Sequence, residues 1–384
     1  MGRKFLNMVL HEYGSRMYSL CRINLSTHLF YPTAKDAATA HEDANARKKK
    51  KKHGGIIWPS TISSCKRLPR TVVNFSTPPS TAAASNMRFF SLLPELGETS
   101  VMFADPSCNS SVYDMGTKSF VLTPQSYFCK PYDSIALSVR NLCSGGNLLD
   151  HEDDHGLYVM NSIDDSFEFF NYCKVGLSTY PLLYNKWYWS PLPPPPSGGR
   201  PLVAAAVIDS SNAICASSKH GTYTFDVSRE VWSHTGSWVL PFHRAAEYVP
   251  ELGLWFGLQA PGNGTPQNRL SAFDLSSSAM AESAPSSLHD WEYLDLLPEE
   301  LLPVGRALVN LGSGKFCIAT HCRKDRSALQ EEDELENIRS LGGNGGVQTL
   351  LTGVEVVRCA DGLQLIHHKS QRYNIENVRI HCVL

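Results

Sequence analysis

Between Gly221 and Gly257 the chain reads GTYTFDVSREVWSHTGSWVLPFHRAAEYVPELGLWFG, and this stretch restricts the possible folds more than any other. Tyr223 and Phe225 alternate with Thr222 and Thr224, and Asp226 then opens a polar break. Val231-Trp232 and Trp238-Val239-Leu240 follow, and Pro250 and Gly253 lead into Leu254-Trp255-Phe256. Short alternating runs broken by turn residues every few positions cannot wind as amphipathic helices; they fold as antiparallel hairpins. Helical periodicity is almost absent elsewhere. The best helix candidate, Ser327 to Arg339, is mostly charged and sits between polar runs.

The hairpin pattern recurs. An apolar or aromatic run ending in an acidic or amide residue occurs at Val112-Tyr113-Asp114, Phe169-Phe170-Asn171, Tyr223-Thr224-Phe225-Asp226 and Ala272-Phe273-Asp274. The anchors 114, 171, 226 and 274 lie 57, 55 and 48 residues apart, and Trp189, Trp232 and Trp291 follow the last three. A four-stranded propeller blade takes about 40–50 residues. The expected fold is therefore all-β: a single β-propeller of about six four-stranded blades with long low-complexity insertions, and two packed β-sandwich domains as the alternative. The Asp residues would cap turns after the third strand, and the Trp residues would pack between blades. Phe5 to Leu10 and Val378 to Val383 are both strand-like, which suits closure of the ring by the two chain ends.

Composition divides the chain further. Residues 1–33 read as N-terminal strands, and 34–86 as a mostly disordered basic and Ala/Ser/Pro-rich insertion. Residues 87–322 read as blades, 323–349 as a charged and Gly-rich insertion, and 350–384 as closing strands. Lys+Arg number 35 against Asp+Glu 37, which argues against a generally basic surface and wholesale nucleic-acid binding. No apolar run is long enough for a transmembrane helix, and Phe5 to Leu10 is too short for a secretory core. The 11 cysteines form no C-x-x-C pair and read as reduced thiols of an intracellular protein, cytoplasmic or nuclear. Cys215 and Cys317 sit as small core residues would.

Each chemical motif fails on context. His151-Glu152-Asp153-Asp154-His155 matches H-E-x-x-H, but a zinc protease needs it on a helix, and here Gly156 and a strand-like run follow directly. Cys317, His321 and Cys322 offer three metal-type donors on and after a strand without a fourth nearby; His367-His368 and His381-Cys382 alternate faces. Gly312-Ser313-Gly314-Lys315 comes near a phosphate loop, yet position 309 is Val and Phe316 replaces the Ser/Thr, so it reads as a hairpin turn. No cofactor and no catalytic residue is expected. Lys48, Lys49, Lys50, Lys51 and Lys52 form a compact basic run of the kind that serves as a nuclear-import signal.

KFLNMVLHEYGSRMYSLCRINLSTHLFYP, GLYVMNS, WYWSPLPPPP, GTYTFDVSREVWSHTGSWVLPF, RAAEYVPELGLWFG, LVNLGSGKFCIA, TGVEVVRC and HHKSQRY together resemble a large plant family, expanded in grasses, catalogued as domain of unknown function 1618. The resemblance implies a cereal-type source and a propeller-like fold, and no activity. The functional expectation is a non-enzymatic interaction scaffold binding an unidentified protein partner through its loops, with no specific nucleic acid and no membrane. The alternative is a small-ligand binder or enzyme using the propeller's central channel, with Arg244 and Glu247 as examples of polar lining. A nuclear regulatory factor is the second alternative.

Overall fold

The structure, a computed structural model, describes residues 2–12, 14–47, 62–65, 67, 69–76, 87, 89–93, 98–105, 107–130, 134–141, 154–161, 165–176, 183–208, 213–260, 269–293, 297, 301–324, 347–374 and 378–384. In chain order come β1 (Phe5–Glu12), β2 (Met17–Asn24), α1 (Leu25–His28), α2 (Ala34–Arg47), β3 (Ile62–Cys65) and β4 (Thr71–Ser76). β5 (Phe89–Leu92), β6 (Ser100–Ala104), β7 (Ser110–Asp114) and β8 (Ser119–Leu122) are followed by β9 (Ile135–Asn141), β10 (Asp154–Met160), β11 (Phe167–Gly176) and β12 (Leu183–Pro191). Next are β13 (Leu202–Ile208), β14 (Ala213–Ser218), β15 (Gly221–Asp226), β16 (Val231–Gly236), β17 (Arg244–Val249), β18 (Leu254–Leu258), β19 (Arg269–Phe273), α3 (Ser277–Glu282) and β20 (Ser287–Glu292). β21 (Leu301–Gly312), β22 (Lys315–Lys324), β23 (Gln348–Cys359), β24 (Gly362–Tyr373) and β25 (Val378–Val383) complete the chain.

These strands make a β-propeller. Its antiparallel blades run β25-β1-β2-β4, β5-β6-β7-β8, β9-β10-β11-β12, β13-β14-β15-β16, β17-β18-β19-β20 and β21-β22-β23-β24. The expected closure is present: β25 from the C-terminal end pairs with β1, with Met8 opposite Val383 and Glu12 opposite Val378. Asn7 and Leu384 exchange backbone hydrogen bonds beyond that register. The β13–β16 and β17–β20 blades are themselves joined, because β13 and β17 pair in parallel at Ala204–Arg244, Ala205–Ala245 and Ala206–Ala246. Alanine runs on both strands let two first strands approach to hydrogen-bonding distance.

By contacts the chain divides into two compact units, Met1–Ser76 with Trp291–Leu384, and Thr77–Asp290. In the former, Leu6, Met8 and Leu10 of β1 pack with Ile23, Leu311, Cys317 and Leu351. In the latter, Phe167 and Phe225 meet edge-on at 4.9 Å between ring centroids. Each such buried phenyl ring contributes about 2–3 kcal/mol of transfer free energy.

The anchor residues behave differently from one another. Asp114 Oδ1 accepts from the Gly116 and Thr117 amides at 2.6 and 3.1 Å, Asp226 Oδ1 from Ser228 and Arg229 at 2.9 and 3.0 Å, and Asp274 Oδ1 from Ser276 at 2.9 Å. Each follows or ends the third strand of its blade. Asn171 is no turn anchor: it lies within β11, opposite Gly156 and Tyr188. Trp189 and Trp232 do join blades. Trp189 Nε1 donates to Ser110 Oγ at 3.0 Å, and Trp232 Nε1 to the Pro193 carbonyl at 2.8 Å.

The stretch 34–86, expected to be mostly disordered, carries α2, β3 and β4, and β4 is a blade strand. For α2 the physical reason is a capping box, while β3 and β4 are held by pairing with β24 and β2. Thr33 Oγ1 accepts from the Asp36 amide at 3.1 Å while Asp36 Oδ2 accepts from the Thr33 amide at 3.2 Å. Alanine then supplies helix propensity through the following turns. Ser327 to Arg339 lies outside the described residues.

Candidate interaction face and cationic cleft

β8 is the outer strand of its blade, and among the described residues it pairs with β7 alone. All of its residues, Ser119, Phe120, Val121 and Leu122, are exposed. Leu122 is 84% exposed and Phe120 48%, and Tyr127 just beyond is 62% exposed. Phe120 is half-seated, its ring 4.7 Å from Tyr113 and 6.0 Å from Phe103. A solvent-facing row with no charge on it is unusual for a strand edge, where lysine, proline or a covering segment is the common protection.

A buried ion pair holds the segment beside it. Lys130 and Glu168 are 3% and 1% exposed and bond directly. Glu168 Oε1 accepts from the amides of Tyr127 and Phe128 at 2.6 and 3.2 Å, and Lys130 Nζ donates to the Phe128 carbonyl at 2.9 Å. The Lys130 ammonium also lies 4.4 Å from the Trp189 ring centroid. The carboxylate thus fixes two successive backbone amides and presents Tyr127 and Phe128 outward as a set shape.

In the other unit, a cleft of about 440 Å³ is lined by Arg3, Lys4 and Lys315, the rings of Phe30 and Tyr31, and small polar residues including Ser313. Its lining contains three cations and no carboxylate. Lys315 Nζ sits 5.4 Å from the Phe30 ring centroid and 3.8 Å from Glu355 Oε1. Glu355 Oε2 in turn meets His368 Nε2 at 3.0 Å, and His368 Nδ1 accepts from the Tyr31 amide at 3.2 Å. One chain of polar contacts therefore runs from the cleft to the segment that forms its aromatic wall. Gly312, Ser313 and Gly314 take positive φ values of 82°, 53° and 71°, the tight β21–β22 turn that the sequence indicates. That turn delivers Lys315 to the cleft.

The other motif residues are not gathered into a site. Lys48 to Lys52 and His151 to Asp153 lie outside the described residues, and Asp154 and His155 belong to β10, a strand, so the helix a zinc protease needs is missing there. Cys317 is buried, and burial pushes its thiol up. Burial likewise raises Cys322 to about 12. His321 Nδ1 lies 2.9 Å from Thr349 Oγ1, and burial lowers the ring to about 4, with Arg379 adding to the effect. Among the described residues no group of three His, Cys, Asp or Glu side chains is placed to hold a metal. Arg244 donates to the Ser134 carbonyl at 3.1 Å and Glu247 lies on exposed β17 surface. No described helix is long and apolar enough to cross a membrane.

Sequence reasoning missed the β8 face and the Lys130–Glu168 pair. The apolar run Phe120-Val121-Leu122 before Thr123-Pro124 marks a strand, but nothing in a sequence shows which blade edge is left uncovered. The lone Lys130 and Glu168 are 38 residues apart, and only the path of the segment between β8 and β9 across β11 brings them together.

Solved structures similar to this chain include the β-propeller domain of Cps50 (Swd1) from Myceliophteria thermophila, at 10% identity and TM-score 0.35, covering 74% of this chain and 83% of that one. An auxiliary nutrient binding protein from Bacteroides thetaiotaomicron matches at 11% identity and TM-score 0.35, over 76% and 62%. The WD40 domain of SCAP from fission yeast matches at 11% and TM-score 0.30, over 97% and 88%. Nothing about activity follows from likenesses this distant. No curated protein matches the chain. A family model does match, over residues 3–373, and it carries a different number from the family the sequence resembles. The chain belongs to the family described as protein of unknown function (DUF1668).

Proposed function

We propose that this protein is a non-catalytic interaction module whose β8 edge takes an extended apolar segment of a partner protein as an added strand. The observation that carries the reading is the uncharged, exposed run Phe120-Val121-Leu122, uncovered among the described residues and flanked by Tyr127 and Phe128 on a rigid support. Strand addition supplies affinity through main-chain hydrogen bonds and specificity through alternate side chains. The molecule itself gives the precedent. At another outer edge, β3 adds in parallel to β24, from Ile62–Ser370 through Cys65–Tyr373. Selection of extended peptides from a random library, followed by amide hydrogen exchange, tests the reading. Selected apolar peptides should protect Ser119 to Leu122 and lose binding to Leu122→Lys. Protection elsewhere, unchanged binding by that variant, or self-association of the chain through β8 would overturn it.

A second reading rests on the cationic cleft: a small anionic ligand held by Arg3, Lys4 and Lys315 against the Phe30 and Tyr31 rings. Pyrophosphate is the simplest probe. It should raise the thermal midpoint of the full chain and fail to do so in Lys315→Gln. No shift in the unaltered chain would remove this reading and leave the β8 reading untouched.

A further inference from the structure

Cys108 and Cys129 lie 21 residues apart in the chain, yet their Sγ atoms are 3.0 Å apart. Their neighbours fix this approach. Asp105 Oδ1 accepts from the Ser107 and Asn109 amides at 2.8 and 3.0 Å, which shapes the turn between β6 and β7 and puts Cys108 at φ 65°. Ser126 then donates from its amide to the Cys108 carbonyl at 2.9 Å, and Gln125 Nε2 to the Ser107 carbonyl at 2.9 Å. The segment that carries Tyr127 and Phe128 is thereby laid along that turn, and Lys130–Glu168 holds its far end. A disulfide needs about 2.05 Å between sulfurs, so closure asks for a movement of about 1 Å in side chains at the surface.

We propose that Cys108 and Cys129 are a modification site that closes to a reversible intramolecular disulfide, with a small-molecule disulfide such as glutathione disulfide as oxidant. Cys129 is exposed and Cys108 half-buried, which sets the order. The Cys129 thiolate attacks one sulfur of glutathione disulfide. That S–S bond breaks, one glutathione leaves as thiolate and takes up a proton, and Cys129 carries the mixed disulfide. Cys108 then attacks Cys129 Sγ, the mixed disulfide breaks, and the second glutathione leaves with the proton that Cys108 gave up. Two protein thiols are oxidised and one glutathione disulfide is reduced to two thiols. Burial foremost, and the neighbouring Cys129 after it, push the Cys108 thiol up to about 11, so the closing step quickens as pH rises. The product ties the Tyr127–Phe128 segment to the β6–β7 turn. The cross-link stands whether or not β8 docks a partner.

Cys359 is the internal comparator. It is exposed, its Sγ lies 3.5 Å from Gln364 Oε1, and no other described thiol is placed to displace an adduct from it. The folded full chain is incubated with glutathione disulfide, the remaining thiols are blocked, and the chain is digested with trypsin, which cuts after Lys118 between the two cysteines. The expected result is a peptide pair joined through Cys108 and Cys129, with a stable glutathione adduct on Cys359. In Cys108→Ser the adduct should remain on Cys129. A stable adduct on Cys129 in the unaltered chain, or an unreacted Cys129 beside a modified Cys359, would overturn the proposal. Both readouts come from the unaltered chain, so a misfolded variant does not spoil the test.

Discussion

The outer strands β24 and β8 face the same problem and meet it in opposite ways. β24 is a 12-residue strand with Gln364, His367, Lys369, Gln371 and Arg372 along it, and it is covered nonetheless. β3 pairs with its far end, α2 lies against it, and the Lys369 ammonium donates to the carbonyls of Ser26 and Thr27 at 3.4 and 3.1 Å. β8 has 4 residues, three of them apolar, and carries neither a strand nor a helix among the described residues. A long polar edge offers many unpaired main-chain groups, so an inserted segment repays its ordering entropy by pairing them. A short edge offers fewer such groups, and its brevity itself limits uncontrolled pairing. Among the described residues, α2 and β3 cover β24, and β8 has no such cover.

The comparison breaks most severely at Lys130. Lys130→Met leaves the Glu168 carboxylate buried without its cation, and the cost is about 3–5 kcal/mol. Local loosening should follow first, seen as rapid chymotryptic cleavage at Tyr127 and Phe128. The double variant Lys130→Met with Glu168→Gln removes both charges and should recover most of the loss in urea unfolding. If the single variant cleaves no faster than the unaltered chain, the ion pair does not support the exposed face.

On the covered side the corresponding weak point is Gly353 of β23. A Cβ there would lie 2.5 Å from the Leu29 carbonyl oxygen, a backbone atom that cannot swing aside. Gly353→Ala should therefore displace the start of the covering segment at a cost of about 2–3 kcal/mol. Amide exchange along β24 should accelerate, and exchange in β8 should not change.

Acid should uncover β24 more gently. His368 has its Nδ1 lone pair on the Tyr31 amide, its Nε2 facing Glu355, and its carbonyl accepting from His41, with Lys315 also close by. Burial foremost lowers its proton affinity, and the Glu355 contact opposes this. His321 and His381, in the same unit, are lowered to about 4 and about 3, chiefly by burial. Since the folded values lie below the unfolded 6.5, the unfolded chain binds more protons. Stability is present above the unfolded value and falls as pH drops below it. Between about pH 7 and about pH 5.5, His321 and His381 should each remove on the order of 1 kcal/mol, read as the urea midpoint. The Tyr31 amide, measured against its intrinsic exchange rate at each pH, should lose protection as the His368 ring takes up a proton. A flat profile would mean that these rings are not the neutral, buried groups described.

Much of the frame was legible in sequence because strand alternation and turn chemistry are local. Asp114, Asp226 and Asp274 announce their turns by the amides that follow them within three residues. The closure of β25 on β1 follows from two apolar runs that cannot be left as edges. What escaped depends on partners far away in the chain. Asn171 shares the local pattern of the turn anchors, yet β12 continues alongside it and keeps it within a strand. α2 was hidden because its Ala-rich, charged composition is also that of solvated linkers; the Thr33-Ala34-Lys35-Asp36 capping box was the signal that separates them. The Cys108–Cys129 approach and the Lys130–Glu168 pair have no local signature at all.

The smallest effect on stability is expected where the functional consequence is largest. Leu122 is 84% exposed, so Leu122→Lys removes little packing and should change stability by less than about 0.5 kcal/mol. The same holds for Phe120→Lys to a lesser degree, since its ring rests on Tyr113 at 4.7 Å. A lysine at either position puts a charge on an edge that otherwise carries none, which is the device strand edges use to refuse a neighbouring strand. Binding of an apolar extended peptide should fall at least tenfold, and thermal unfolding should be nearly unchanged. A Leu122→Lys variant that is markedly less stable would place Leu122 in the packing of the blade and not on a docking face. One that is equally stable and binds equally well would make the β8 edge merely bare, and the contrast with β24 would then concern stability alone.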